Sequence, residues 1–94
     1  MSKLDEAFLD YLSYLAFMAA QLPWGYGPFS LVKAIDKALA LQELSDEIGL
    51  DDLCAKLREE FKTVEGTPSS HVETWGGFLE RITDIFTEEM IKDR

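Results

Sequence analysis

The chain has 94 residues and a mass of 10.7 kDa, enough for one domain and too little for a two-domain enzyme. Apolar residues make up 47% of the sequence and charged residues 29%, a balance that excludes a disordered or collagen-like chain. The net charge of −9 argues against binding to nucleic acid or to anionic membranes, because both attract lysine and arginine. We therefore expect a single domain over residues 1–94 whose partner is a protein or a small molecule.

The first predicted helix covers about residues 4–22 and is apolar over most of its surface. On a helical projection its apolar side chains occupy about 240° of the circumference, much more than one packing stripe. They are Leu4, Ala7, Phe8, Leu9, Tyr11, Leu12, Tyr14, Leu15, Met18 and Ala20. The narrow polar side holds Glu6, Asp10, Ser13 and Gln21, with Phe17 among them. Such a helix is expected at the centre of its own bundle or against another subunit.

This apolar segment is not expected to be a signal peptide or a membrane span. Asp5 and Glu6 precede it and Asp10 interrupts it, whereas a signal peptide begins with basic residues. Residues 11–32 carry no charge, but the prolines and glycines of segment 23–28 break the run in its middle. A single cysteine cannot form an internal disulfide, so we expect a cytoplasmic protein.

The second and third helices are predicted on either side of a turn at residues 49–51. The second covers about residues 30–48, with Ser30 as N-cap and Gly49 just after its end. The third covers about residues 51–64, and its narrow apolar arc predicts that it is the most peripheral of the four helices. This arc consists of Leu53, Cys54, Leu57, Phe61 and Val64. Cys54 is therefore expected to be a core residue and not a redox group.

The fourth helix is predicted over about residues 71–91, because Ser70 and Glu73 have the spacing of a capping box. Gly76 and Gly77 lie inside it, and each should cost about 1 kcal/mol relative to alanine. Gly76 borders the apolar side, where close approach of another backbone would explain it. Gly77 points to solvent, which leaves a local kink or a later helix start as its explanation.

No group of residues in the sequence is typical of a catalytic or metal site. His71 and Cys54 cannot supply the four ligands of a closed zinc site. Adjacent acids such as Glu88 and Glu89 diverge by about 100° on a helix, which indicates solvation and not di-metal binding. The sequence also lacks a phosphate-binding loop and a nucleophile elbow. We expect no catalytic residue, no bound metal and no cofactor.

The most distinctive segment is the turn over residues 23–29, where aromatic side chains alternate with glycine and proline. We interpret it as a corner that closes one end of the bundle, with a partner interface or a small-molecule pocket as alternatives. Trp24 is expected to be mostly buried, and Tyr26 to be exposed at the apex of the turn. The candidate contact residues are Tyr11, Tyr14, Phe17, Trp24 and Tyr26.

The same turn carries a resemblance to a known family. Tyr26-Gly27-Pro28-Phe29, followed by Leu31-Val32 and a helix, resembles a prokaryotic family of small uncharacterised helical proteins, a domain of unknown function. The resemblance covers about residues 5–50. It implies a small helical protein with no assigned activity, so it transfers no catalytic residue.

Together these patterns predict an all-α, up-and-down bundle of four helices with the first helix most buried. The alternative is a three-helix core whose fourth helix exchanges with a second subunit. The expected function is that of an interaction or structural protein, acting as a homodimer or through a helical protein partner. The alternative is a small-molecule binding module or minor enzyme, with its pocket between the first helix and segment 24–29.

Overall fold

Four helices form a closed ring in the computed structural model, which describes residues 2–92. They are α1 (Lys3–Gln21), α2 (Tyr26–Leu44), α3 (Asp51–Thr63) and α4 (Val72–Lys92). Within that range the chain forms no strand. Each helix packs against two others, α1 and α3 both lying between α2 and α4. The predicted all-α four-helix bundle is confirmed, and α4 packs on its own chain.

The core draws apolar side chains from all four helices at intervals of three and four residues. Its fully or almost fully buried members include Leu12, Ala16, Ala19, Val32, Ile35, Leu53, Cys54, Leu57, Phe78, Ile82 and Phe86. As expected, α1 makes the most extensive contacts with other helices and α3 the fewest. Ser13 is buried as well, although the sequence indicated a polar position. Its small hydroxyl donates to the Asp10 carbonyl of the same helix (3.1 Å), so burial leaves no polar atom unpaired.

The predicted bounds of α2, residues 30–48, are wrong at both ends. The helix begins at Tyr26, and the Phe29 amide donates to the carbonyl of the N-cap Gly25 (3.1 Å). Pro28 is tolerated because the first turn of a helix has no intrahelical acceptor for its amides. The helix ends at Leu44, since the Ser45 hydroxyl accepts from the Glu47 amide (3.2 Å) and holds a turn in place of a further helical one.

The start of α4 also differs from the expected capping box. The Trp75 amide donates to the carbonyl of His71 (3.2 Å), so the helix begins after His71 and Ser70 lies one residue further out. The helix then runs without interruption through both glycines. A Cβ on Gly76 would meet nothing within 4 Å, which overturns close backbone approach as its explanation. A Cβ on Gly77 would lie 3.2 Å from the Arg81 guanidinium.

The other helix bounds agree with the sequence to within one residue. Ser2 caps α1 by accepting from the Asp5 amide (3.0 Å), so that helix begins at Lys3 and not at Leu4. The last helical residue of α3 is Thr63. Leu50 precedes α3 with a φ of 61°, which is a left-handed conformation.

One end of the bundle is held together by aromatic side chains, and we call it the aromatic end: Trp24, Phe29, Pro68, Ser69 and Trp75. The two indole rings stack with 5.4 Å between centroids, and Phe29 packs edge-on against both. Each indole N–H also donates to a carbonyl of the α3–α4 loop, Trp24 to Ser69 (2.7 Å) and Trp75 to Pro68 (3.0 Å). The α1–α2 turn is thereby joined to a loop that lies 45 residues away in sequence.

The opposite end is held by polar groups, and we call it the polar end: Asp5, Gln42, Gly49, Asp51 and Arg58. The Asp5 carboxylate accepts from the Gly49 amide (2.7 Å), which ties α1 to the α2–α3 loop. The Gln42 amide is buried and donates to the Gly49 carbonyl and to the Asp51 carboxylate (2.9 Å). Its oxygen accepts from Arg58, which also donates to the Leu39 carbonyl. Helices α1, α2 and α3 all meet in this network.

Candidate interaction surface

A continuous row of apolar side chains on α1 faces away from the core, and we call it the α1 stripe: Leu4, Ala7, Tyr11, Tyr14 and Met18. All five are exposed, Tyr11 by 52% and Tyr14 by 58%. Their spacing alternates between three and four residues, which is the heptad pattern of a helix that packs along a second helix. Large exposed apolar groups in a row are unusual on a monomer. The geometry therefore marks the α1 stripe as a surface suited to covering by another helix.

The flanks of the α1 stripe differ in character. One flank continues into the buried side of the helix through Leu15 and Phe8. The other carries Lys3, Glu6 and Asp10 at its N-terminal half and Gln21 at its C-terminal end. Among the other helices, α1 contacts only α2 and α4. Helix α3 therefore does not cover the α1 stripe.

The five contact residues predicted from the sequence fall into three places. Tyr11 and Tyr14 belong to the α1 stripe. Phe17 and Trp24 are half-buried and pack against the core, Trp24 through its stack on Trp75. Tyr26 is 87% exposed at the first residue of α2, as its place in the turn suggested. The structure thus does not bring these five side chains into one site.

Sequence reasoning did not single out Leu4, Ala7 and Met18, the other members of the α1 stripe. Their three-and-four spacing was visible, but it merged with the buried side of the helix into one wide apolar arc. The contact of Trp24 with the α3–α4 loop had no sequence signal, because its hydrogen-bond acceptor is a backbone carbonyl.

Two clefts border the aromatic end, and neither is lined by Tyr11, Tyr14 or Phe17. The smaller cleft, of about 350 Å³, lies between the α1–α2 turn and the α3–α4 loop. Its lining includes Trp24, Tyr26 and Ser69, but no residue of α1. The pocket that the sequence suggested between the first helix and segment 24–29 therefore does not correspond to this cleft.

The larger cleft, of about 450 Å³, lies between α2, α3 and the α3–α4 loop. Phe29, Phe61 and Trp75 give it an aromatic floor. Its basic groups interact within the chain: Arg58 pairs with Glu43 (3.0 Å) and Lys62 with Glu59 (3.0 Å), while Lys33 lies 5.3 Å from the centre of the Phe29 ring. These contacts are those of a packed helix junction and give no charge pattern that selects a ligand.

Cys54 is fully buried in the first turn of α3, beside the polar end. Burial raises the pKa of the Cys54 thiol from 9.0 to about 11, since a thiolate is poorly solvated there. The Arg58 charge opposes this rise, and the Asp51 and Asp5 charges add to it. A thiol that stays protonated at neutral pH is a weak nucleophile, which agrees with the core position predicted for Cys54.

The described part of the chain shows no cluster of three or more histidine, cysteine or acidic side chains that could hold a metal ion. His71 is exposed at the start of α4. None of the helices within residues 2–92 combines the length and the apolar character needed to cross a bilayer.

No protein-family model, curated protein or solved structure matches this chain. The resemblance of Tyr26-Gly27-Pro28-Phe29 to a domain of unknown function thus stays a prediction.

Proposed function

We propose that the protein is a small helical interaction protein that acts as a homodimer, with the α1 stripe as its interface. The observation that carries this proposal is the exposed heptad row of the α1 stripe on a helix whose other side is buried. A second copy is the occupant that fits the charge distribution, because the stripe has no charged member and both its tyrosines offer an apolar ring with a polar tip.

The size of the surface sets the expected strength of association. The side chains of the α1 stripe expose roughly 500 Å² per subunit, judged against the 150–250 Å² of a whole aromatic side chain. A standard interface buries about 800 Å² per partner, so the dimer should be a weak one that dissociates at micromolar concentrations.

We also propose that the protein works in the cytoplasm. The support is Cys54, a buried free thiol in a fold that relies on packing and hydrogen bonds, which suits a reducing compartment.

Sedimentation equilibrium of the parent and of two variants with the same substitution tests the interface. The parent should give a mass near twice 10.7 kDa at high micromolar concentration. Tyr14→Glu places a charge in the middle of the α1 stripe and should weaken dimerisation by roughly 100-fold or more, since both subunits would bury it. Tyr26→Glu makes the same change at an exposed position outside the stripe and should leave the mass unchanged.

Two results would contradict the proposal. A parent that stays at 10.7 kDa throughout the concentration range has no self-interface, and a thermal shift with one member of a metabolite panel would then favour small-molecule binding. A dimer lost in Tyr26→Glu but kept in Tyr14→Glu would place the interface at the α1–α2 turn.

A further inference from the structure

The charges of α1 are confined to one half of the helix. Lys3, Asp5, Glu6 and Asp10 lie within its first eight residues, and no charged residue follows in the rest of it. Asp5 is engaged with the Gly49 amide, so Glu6 and Asp10 are the acids that flank the α1 stripe. This asymmetry distinguishes the two directions in which a second α1 could be laid on the first.

A parallel pair would place the acidic halves of both helices, with Glu6 and Asp10, at the same end of the dimer. Like charges at such positions oppose association, and each subunit already carries a net charge of −9. An antiparallel pair places each acidic half beside the uncharged half of the other helix. It also sets the positive N-terminal end of one helix dipole beside the negative C-terminal end of the other.

The side-chain sizes along the α1 stripe select one antiparallel alignment. In antiparallel heptad packing, positions of the set Leu4, Tyr11 and Met18 face positions of the set Ala7 and Tyr14. When Tyr11 faces Tyr14 of the second copy, Met18 faces Ala7 and Leu4 faces Gln21. The long side chain of Met18 then lies against the smallest one, Ala7, and the two tyrosine pairs form the centre. A shift by one heptad would leave either Met18 or Ala7, depending on its direction, beyond the end of the second helix.

We propose that two copies of α1 pack antiparallel along their stripes, with Tyr11 opposite Tyr14 and Met18 opposite Ala7. This proposal rests on the dimer proposed above and adds its direction and register. The two-fold axis passes between the two tyrosine pairs, so the bundles lie on opposite sides of a seam made by the two α1 helices.

Cysteine cross-linking tests the direction and the register. The variants are Ala7→Cys and Met18→Cys, each in the parent chain, and the parent serves as control because its only thiol is fully buried. They are oxidised separately and as an equimolar mixture, and the products are identified by intact mass. In the proposed register a Cys at 7 faces a Cys at 18. Two copies of one variant instead hold their thiols about 16 Å apart along the axis, beyond the reach of a disulfide.

The expected result is a mixed cross-linked dimer in at least about tenfold excess over either symmetric one. Symmetric cross-links in the separate variants would show a parallel pair and overturn the proposal. A dimeric mass without any cross-link, repeated with Leu4→Cys and Gln21→Cys, which face each other in the proposed register, would overturn the register. A monomeric parent would overturn the dimer itself, so failure of the direction and failure of the dimer are distinguishable.

Discussion

The two ends of this bundle perform the same task with opposite chemistry. At the aromatic end, two stacked indoles and Phe29 bury apolar area, and their N–H groups add two hydrogen bonds to loop carbonyls. At the polar end, a carboxylate, a buried amide and a guanidinium hold the loop between α2 and α3. The aromatic end therefore depends on packing, which responds little to pH or salt, whereas the polar end depends on charged groups.

Either aromatic or polar side chains can therefore hold a loop against the helices of this small bundle. What each loop needs is a hydrogen-bond partner for the backbone N–H and C=O groups that have none within a helix. The indoles meet this requirement for two carbonyls at one end, and Asp5 and Gln42 meet it for the Gly49 amide and carbonyl at the other.

Truncation of Trp75 is the largest perturbation expected at either end. Trp75 is almost fully buried and contacts Trp24, Phe29 and Phe78, so Trp75→Ala should lower the free energy of unfolding by about 3 to 5 kcal/mol. Trp75→Phe keeps much of the apolar area and should cost less. Urea melts followed by circular dichroism measure both. A Trp75→Ala variant as stable as the parent would show that the aromatic end does not hold the fold.

The alkaline stability of the polar end should follow the ionisation of Cys54. The folded thiol has a pKa of about 11, against 9.0 for the ordinary group. Between these values the unfolded chain binds fewer protons than the folded one, so stability falls as pH rises. The stabilisation that the protonated Cys54 thiol contributes is fully present below pH 9. About 2.5 kcal/mol of it is lost by pH 11, because each unit of pKa difference corresponds to about 1.4 kcal/mol.

Comparison with Cys54→Ala isolates this contribution, because the two chains differ in this side chain alone. Urea melts at pH 8 and pH 11 should show a steeper loss in the parent than in the variant. Equal losses in the two chains would mean that the thiol does not govern the alkaline stability.

A smaller effect should come from the amide at the centre of the polar end. Gln42→Ala removes the partner of the Gly49 carbonyl, of Asp51 and of Arg58, and should cost about 1 to 2 kcal/mol. The control is Glu43→Ala, which removes a mostly exposed partner of the same Arg58 and should cost less than about 0.5 kcal/mol. Thermal unfolding of both variants provides the measurement. Equal costs would indicate that the buried amide contributes no more than a surface ion pair.

The smallest expected change is a gain in stability from α4, near the aromatic end of the bundle. Gly76 lies in a regular helix with open space where a Cβ would stand, so Gly76→Ala should stabilise the protein by about 0.5 to 1 kcal/mol. Gly77→Ala should gain less, because the new Cβ would displace Arg81, which is paired with Glu60 (2.6 Å). Urea melts of the two variants rank them. A loss in Gly76→Ala would mean that this turn of α4 needs glycine for a reason other than space.

The sequence predicted most of α1 and α3, because the three-and-four spacing of their apolar residues agrees with the tertiary packing. It failed at the start of α2, where Ser30 is a good local N-cap but the helix begins four residues earlier, at Tyr26. At the start of α4 the turn over residues 68–71 replaces the capping box. Its carbonyls are held by indoles from elsewhere in the fold, and no local pattern encodes such a contact.

For the candidate site, the sequence indicated that α1 has more apolar surface than one bundle needs. It could not divide that surface into buried and exposed sides, because this depends on where α2 and α4 pack. Tyr11 and Tyr14 were identified, whereas Phe17 and Trp24 turned inward.

The stacking of Trp24 on Trp75 has a consequence for how the protein can be observed. The chain contains two tryptophans, and both lie at the aromatic end with 5.4 Å between their rings. Tryptophan emission therefore reports on this end alone, while far-ultraviolet circular dichroism averages over all four helices. If the two ends separate during unfolding, the two optical signals will change at different urea concentrations. If the bundle opens as one unit, they will coincide.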